Sequence, residues 1–314
     1  MATIGVDLGG TKILALRCED GTVVARHRTT TPRTPDGTVA AIHEAARALG
    51  LEGVEAVGVG IAGLVRWPEG SFAWGPHVAG SDLPLRIELE GTLGVPVVVD
   101  NDANVAALAE HRLGAAVGYR NVIMVTLGTG IGGGIVVDGR IYRGESFAGE
   151  WGHMLYDPHG ILCDCGKRGC WETVASGPAL VRLAREVIEL NPDSSFAVRF
   201  ADTPVTGEAI TAAADAGDEI ARGLVAQVGA HLGRGICSLI AILDPEVVVV
   251  GGGLGSVGES VVAPARRVAA DCLHGSAHRM LPPILVAALG PDAGAIGAAL
   301  LAADHVEGVS EARR

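Results

Sequence analysis

A chain of 314 residues is longer than one hydrophobic core ordinarily serves, so two domains are expected. Apolar residues at 48% with 19% charged residues describe a globular protein, and a net charge of −12 without a basic run argues against a grip on nucleic acid or anionic membrane. The N-terminus lacks the basic flank and apolar run of a signal peptide, and no uninterrupted apolar stretch reaches spanning length, so a cytoplasmic protein with reduced cysteines is expected.

The first elements are short strands, Thr3–Asp7, Ile13–Arg17 and Thr22–Arg28, the last two joined by an Asp20-Gly21 hairpin turn. Between the first two lies Gly9-Gly10-Thr11-Lys12. A glycine turn there can point successive N–H groups at a phosphate, Thr11 adds a hydroxyl, and Asp7 is suited to a hydrated Mg2+. The alternative is an ordinary tight turn. Pro35–Leu49 has helical spacing, and Val54–Ile61 is a buried strand closed by Gly60-Ile-Ala-Gly63, small enough for close backbone approach. Trp67–Pro76 reads as a hairpin or irregular lip, followed by His77. Trp67 and Trp74 offer faces that either stack on a ligand or simply pack. Leu85–Leu93 is helical.

Pro96–Val99 is a strand that runs into Asp100-Asn101-Asp102-Ala-Asn104 before a helix over Val105–Leu113. Polar residues past the carboxyl edge of a buried strand occupy the usual ligand crevice of an α/β sheet. One of them can cap the helix, and three exceed what capping requires. A spare carboxylate there could take a proton from a substrate hydroxyl. Asn121–Leu127, the glycine turn Gly128-Thr129-Gly130-Ile-Gly-Gly-Gly134, the strand Ile135–Val137, the turn Asp138-Gly139 and Arg140–Tyr142 repeat the pattern of the first three strands. Two such turns suit the phosphate tail of a nucleoside triphosphate.

Glu150-Trp-Gly-His153 then precedes Cys163-Asp-Cys165-Gly-Lys-Arg-Gly-Cys170-Trp-Glu172. Three thiols and an imidazole are ligands that tetrahedral zinc prefers, and a closed set of four leaves no position for metal catalysis. A structural zinc would stiffen this loop and aim Glu150, His153 and Glu172 into a pocket; a disulfide or buried packing thiols are the alternatives. Cys18, Cys237 and Cys272 read as packing residues. Helices are predicted over Gly177–Leu190, Thr206–Ala216, Asp218–Leu243, Val257–Leu273 and Asp292–Ala302. Between them run a buried strand at Glu246–Val250, a third glycine turn at Gly251-Gly252-Gly253, and a strand at Ile284–Ala287.

Taken in order, Asp7-Leu-Gly-Gly-Thr-Lys12, Val99-Asp-Asn-Asp-Ala-Asn104, Thr126-Leu-Gly-Thr-Gly-Ile-Gly-Gly-Gly134, Glu150-Trp-Gly-His153 and the cysteine loop resemble the ROK family of bacterial sugar kinases and sugar-responsive repressors. The resemblance implies an actin-like ATPase (hexokinase/sugar kinase) fold, with two α/β domains around a central cleft. A smaller domain would comprise 1–115 plus about 291–314, and a larger one, 116–290, would carry the zinc loop. It implies transfer of the γ-phosphoryl of Mg-ATP to a hexose, usually at its 6-hydroxyl, glucose first, with N-acetylmannosamine, N-acetylglucosamine, fructose and allose as alternatives.

By the same resemblance Asp102 is the general base, and Asn101, Glu150, His153 and Glu172 bind sugar hydroxyls, with Gly63 and His77 beside them. His153, Cys163, Cys165 and Cys170 hold zinc, with His153 using its other ring nitrogen for the sugar. Asp7, Gly9, Gly10, Thr11, Lys12, Thr129 and Gly130 serve the phosphates, and Gly252 and Gly253 line the nucleotide side. A homo-oligomer, dimer or tetramer, is implied. A repressor of this family would need a DNA-binding module ahead of a core that here begins at residue 3. One departure stands out: these kinases often carry asparagine after the proline of the lip, where this chain has His77.

Overall fold

The computed structural model describes residues 1–255 and 258–308. Val257, predicted as a helix start, and the tail 309–314 of the expected first domain lie outside the described residues. The chain divides into two compact units, Met1–Met124 with Gly133–Gly149 and Pro291–Arg314, and Val125–Gly132 with Glu150–Gly290.

In the first unit the elements are β1 (Ala2–Leu8), β2 (Lys12–Glu19), β3 (Thr22–Thr30), α1 (Pro35–Arg47), β4 (Val54–Ile61), β5 (Leu64–Arg66), β6 (Ser71–Trp74), α2 (Leu85–Leu93), β7 (Val97–Asn101) and α3 (Asp102–Leu113). The five-stranded sheet has the order β3-β2-β1-β4-β7, antiparallel through β3, β2 and β1 and parallel from β1 to β7. Ile4, Val6, Leu8, Val57, Val59 and Ile61 are fully buried and meet Ile42 of α1 and Leu85 and Leu89 of α2. The hairpin β5-β6 begins earlier than its tryptophans suggest.

β8 (Val122–Leu127), β9 (Ile131–Val137) and β10 (Arg140–Ile141) follow, then α4 (Glu172–Ala175), α5 (Gly177–Leu190), α6 (Ser195–Arg199), α7 (Gly207–Asp215), α8 (Glu219–Leu243), β11 (Val247–Gly251), α9 (Gly252–Gly255), α10 (Glu259–Asp271), β12 (Ile284–Val286) and α11 (Ala293–Val306). The second sheet runs β10-β9-β8-β11-β12, the same plan of a three-strand meander beside two added strands, so the repeated sequence pattern has a topological counterpart. α8 is long and apolar enough to cross a membrane by length and composition, yet 56% of that stretch is buried within the fold. Val228, Leu232, Ile236 and Ile240 form its inner stripe.

Three sequence expectations are corrected. The predicted third glycine turn is instead the last residue of β11, Gly251, followed by a helical turn from Gly252. The stretch between the predicted helices Gly177–Leu190 and Thr206–Ala216, for which the sequence predicts no element, contains α6, capped by Ser194 and buried through an edge-to-face pair of Phe196 and Phe200. Cys272 is exposed, because it sits at the C-terminal cap of α10.

In the first unit α11 lies directly on bare backbone: a Cβ at Gly5 would meet Ala295 O at 1.9 Å, and one at Gly58 would meet Ala298 O at 1.8 Å. Its alanines 295, 298, 299 and 302 are buried at this contact. Gly58→Val is therefore expected to lower stability by about 3 kcal/mol. Thermal unfolding would check this, and an unchanged Tm would mean the helix can step away freely.

Candidate active site

The junction of β7 and α3 resolves what its three polar residues do. The strand extends through Asn101, and the helix begins at Asp102, three residues earlier than predicted. Asn101 is the cap: its Oδ1 accepts from Ala103 N at 2.8 Å and Asn104 N at 3.2 Å, and its Nδ2 donates to Gly63 O at 3.0 Å. Asp100 is buried and structural. Its Oδ1 accepts from Asn101 N at 2.8 Å and Asn104 Nδ2 at 3.0 Å, and its Oδ2 accepts from Arg143 Nε at 2.8 Å.

Asp102 is the carboxylate left over. Among the described residues it accepts one hydrogen bond, from Ala103 N to Oδ1 at 3.0 Å. Burial pushes its carboxyl up to about 6, assisted by the charge of Asp100 and opposed by the helix-start amides. Burial likewise pushes Asp7 up to about 7, with the charge of Asp102 adding and Lys12 opposing. Two neighbouring acids with raised proton affinity make this junction a candidate site.

The turn after β1 is held by Gly9 N donating to Lys12 O at 3.0 Å and Thr31 Oγ1 donating to Gly9 O at 2.6 Å. The Gly10 and Thr11 N–H groups take no protein acceptor among the described residues. Gly10 must stay bare, because a Cβ would lie 2.7 Å from the Cβ of His77. The lip thus rests on the glycine turn, with His77 and Trp74 exposed. Gly63 has φ of 134° and carries the carbonyl that Asn101 grips. Gly294, at the start of α11, faces the Asp7 carboxylate, which a Cβ would strike at 2.6 Å. One face of Trp67 is taken by Arg143, whose guanidinium carbon lies 3.9 Å from the ring centroid.

The second unit repeats the turn. Gly128 N donates to Gly130 O at 2.9 Å, Gly128 O accepts from Gly177 N at 2.9 Å, and Thr129 and Gly130 keep N–H groups without a protein acceptor among the described residues. Gly252, with φ of 82°, packs against the backbone of Leu127, where a Cβ would come within 2.4 Å of its carbonyl oxygen. Gly253 has open space beside it.

Glu150 opens a single 3-10 turn, Trp151–His153, anchored by Trp151 Nε1 donating to Gly132 O at 3.3 Å. The cysteine loop is a tight knuckle: Gly166 N donates to Cys163 O at 2.9 Å, Cys163 N to Lys167 O at 2.8 Å, and Gly166 has φ of 87°. Trp171 roots the loop in α8, fully buried against Gly235 and donating through Nε1 to His231 O at 3.0 Å.

One ligand atom from each of His153, Cys163, Cys165 and Cys170 lies within 4.8 Å of all the others. The Cys165–Cys170 sulfur separation of 3.6 Å and the Cys163 Sγ to His153 Nδ1 distance of 3.7 Å match the edges of a tetrahedron about an ion. With metal–sulfur bonds of about 2.3 Å those edges are about 3.7 Å. The donor set therefore fits zinc, and all six cysteines are free thiols, so no disulfide competes. Glu172 links this cluster to the glycine turn: Oε1 lies 3.0 Å from Cys163 Sγ and 3.5 Å from His153 Nδ1, while Oε2 accepts from Ile131 N at 3.3 Å.

Asn101, Asp102, Gly63, His77, Asp7, Gly9, Gly10, Thr11 and Lys12 therefore stand in the first unit, and Glu150, His153, Glu172, Thr129, Gly130, Gly252, Gly253 and the thiols in the second. Arg143 went unread in the sequence: a lone arginine after a two-residue strand has no local signal of burial.

The ROK family model matches residues 3–305. The chain is 40% identical to a glucokinase of Streptomyces coelicolor over 96% of its own length and 97% of that protein. It is 36% identical to an N-acetylmannosamine kinase of Citrobacter koseri, over 96% and 99% of the two chains. The crystal structure of a ROK family glucokinase from Streptomyces griseus, in complex with glucose and AMPPNP, superposes with a TM-score of 0.90 at 40% identity, covering 97% of this chain and all (100%) of that one. The paired α/β sheets are thus the actin-like ATPase fold expected from the sequence. With the match spanning almost every element described above, the chain belongs to the ROK family.

Proposed function

We propose that this ROK-family sugar kinase transfers the γ-phosphoryl group of ATP to the 6-hydroxyl of glucose, with Asp102 as the general base. The observation that carries the reading is the division of labour at the β7–α3 junction. Asn101 is spent on the cap and Asp100 on Arg143, while among the described residues Asp102 keeps one carboxylate oxygen unengaged, with its carboxyl raised to about 6. Asp102 accepts the hydroxyl proton as the sugar oxygen attacks the γ-phosphorus and ADP departs. Positioning and charge stabilisation supply most of the acceleration in such transfers, and a base near its working pH adds about 10²–10⁴-fold.

The N–H groups of Gly10, Thr11, Thr129 and Gly130, unengaged among the described residues, are suited to phosphate oxygens. Gly252 and Gly253 would line the nucleotide side, and Lys12 would offer a cation. Asp7 would hold hydrated Mg2+, which offsets phosphate charge when the nucleotide is bound. Glu150, His153 through Nε2, Glu172 and the remaining Nδ2 hydrogen of Asn101 would grip sugar hydroxyls, with Gly63 and His77 at the lip. His153 Nδ1 with Cys163, Cys165 and Cys170 would hold zinc, whose closed shell braces the loop.

Glucose is favoured as acceptor by the near-full-length likeness to glucokinases. The likeness to an N-acetylmannosamine kinase keeps that amino sugar as the second reading. A panel of hexoses with Mg-ATP, read by coupled ADP release, tests the choice: glucose should give the highest kcat/KM. A higher value for N-acetylmannosamine would overturn the assignment. His77→Asn should reorder the panel by several-fold, because a hydrogen bond between the lip and a sugar hydroxyl is worth about 0.5–1.5 kcal/mol net, up to about tenfold; an unchanged ranking would place the lip away from the sugar.

A further inference from the structure

We propose that Arg143 is a positioning residue for phosphoryl transfer, fixing the β7–α3 junction, and with it the Asp102 carboxylate, to the lip hairpin β5-β6. The inference rests on the reading of Asp102 as base. Arg143 is nearly solvent-free, with 6% of its side chain exposed against 3% for Asp100, and its Nε donates to Asp100 Oδ2 at 2.8 Å. The other oxygen of Asp100 holds Asn101 N and Asn104 Nδ2, so the backbone and first turn that present Asp102 hang from one ion pair. The guanidinium carbon of the same side chain lies over the Trp67 ring, 3.9 Å from its centroid. Trp67 N–H in turn donates to Ser146 Oγ at 3.2 Å, so the segment that follows Arg143 clasps the hairpin a second time.

A buried ion pair is a poor device for stability, since desolvation offsets most of its attraction and an apolar pair often does as well. Its geometry is what an apolar pair lacks. Only a planar guanidinium can bond a carboxylate along one edge while stacking its face on an indole. The pair also sets the local field. Among the described residues the charged groups acting on Asp102 are Asp100 at the junction and Asp7 from β1, itself opposed by Lys12, and Arg143 is a cation that offsets Asp100. Remove it, and Asp100 presses on Asp102 without compensation.

The test compares Arg143→Met, Arg143→Lys, Asp100→Asn/Arg143→Met and Asp102→Asn as full-length proteins, in steady-state kinetics across pH with the folded fraction measured in parallel. Arg143→Met should lower kcat about 10- to 100-fold per folded molecule, as small misplacements of reacting groups do, with both KM values within about threefold. Its acid limb should move up by about half a pH unit or more, the sign a newly uncompensated neighbouring carboxylate requires. Arg143→Lys should return the limb to the wild-type position while recovering only part of kcat. The double variant, which carries no buried unpaired charge and so folds even where Arg143→Met does not, should keep the kcat loss without the upward shift. Wild-type kcat and an unmoved limb in folded Arg143→Met or in the double variant, with Asp102→Asn inactive, would overturn the positioning role alone. Full turnover in Asp102→Asn would instead overturn the base assignment beneath it.

Discussion

Asp102→Asn is expected to lower kcat by about 10²–10⁴-fold while leaving the binding of sugar and ATP nearly unchanged. The amide keeps an oxygen for Ala103 N, so the start of α3 should survive the exchange. The same substitution should make the protein more stable above neutral pH. The Asp102 carboxyl is raised from an ordinary 3.8 to about 6 in the folded chain, so the native state binds its proton more tightly than the unfolded state. The resulting penalty is absent below about pH 4, grows as pH rises, and is complete above about pH 6. Asp102 is only half-buried; discounted for that exposure and for the lost charge at a helix start, removal of the penalty is worth about 1–2 kcal/mol at pH 8. Equilibrium unfolding of the two proteins at pH 8 and pH 4 checks the sign: the gain should shrink at the lower pH. Retained turnover would remove Asp102 from the base role.

The second large effect concerns the cysteine knuckle. Cys165→Ser should lose zinc and raise KM for the sugar by roughly 10–100-fold, the range seen when the support of a metal site is removed, with a much smaller change for ATP. His153 and Glu172 both touch the cluster, so a loop that loses its ion loses the orientation of both. Burial pushes the Cys163 and Cys170 thiols up, so metal loading must displace protons and weakens toward low pH. Metal content by atomic emission beside sugar KM makes the test. Wild-type KM in a zinc-free Cys165→Ser protein would contradict the bracing role.

What could be read in advance followed sequence distance. The knuckle was legible because its thiols and His153 lie close along the chain and their chemistry is distinctive. The two glycine turns were legible because each sits between strands of plain alternating or buried pattern, and the second repeats the first. The fate of Asp100 and Asn101 was not legible, because both depend on partners far away in sequence, Arg143 and Gly63. The capping preference of asparagine hinted at one of them, but the strand boundary had to be known to choose. Arg143 itself had no signal, since buried arginine is rare and shows only through its partner. α6 escaped for a different reason: five residues between polar neighbours carry too little periodicity, and Phe196 and Phe200 reveal it only once packed.

The most direct measurement is the pH dependence of kcat/KM for glucose with Mg-ATP saturating at every pH, since this ratio reports the ionisation of the sugar-free enzyme. The wild-type profile should fall away below about pH 6, where the Asp102 carboxylate takes up its proton, and Asp102→Asn should show a low, flat line. A wild-type profile that stays level from pH 5 to pH 8 would contradict the account.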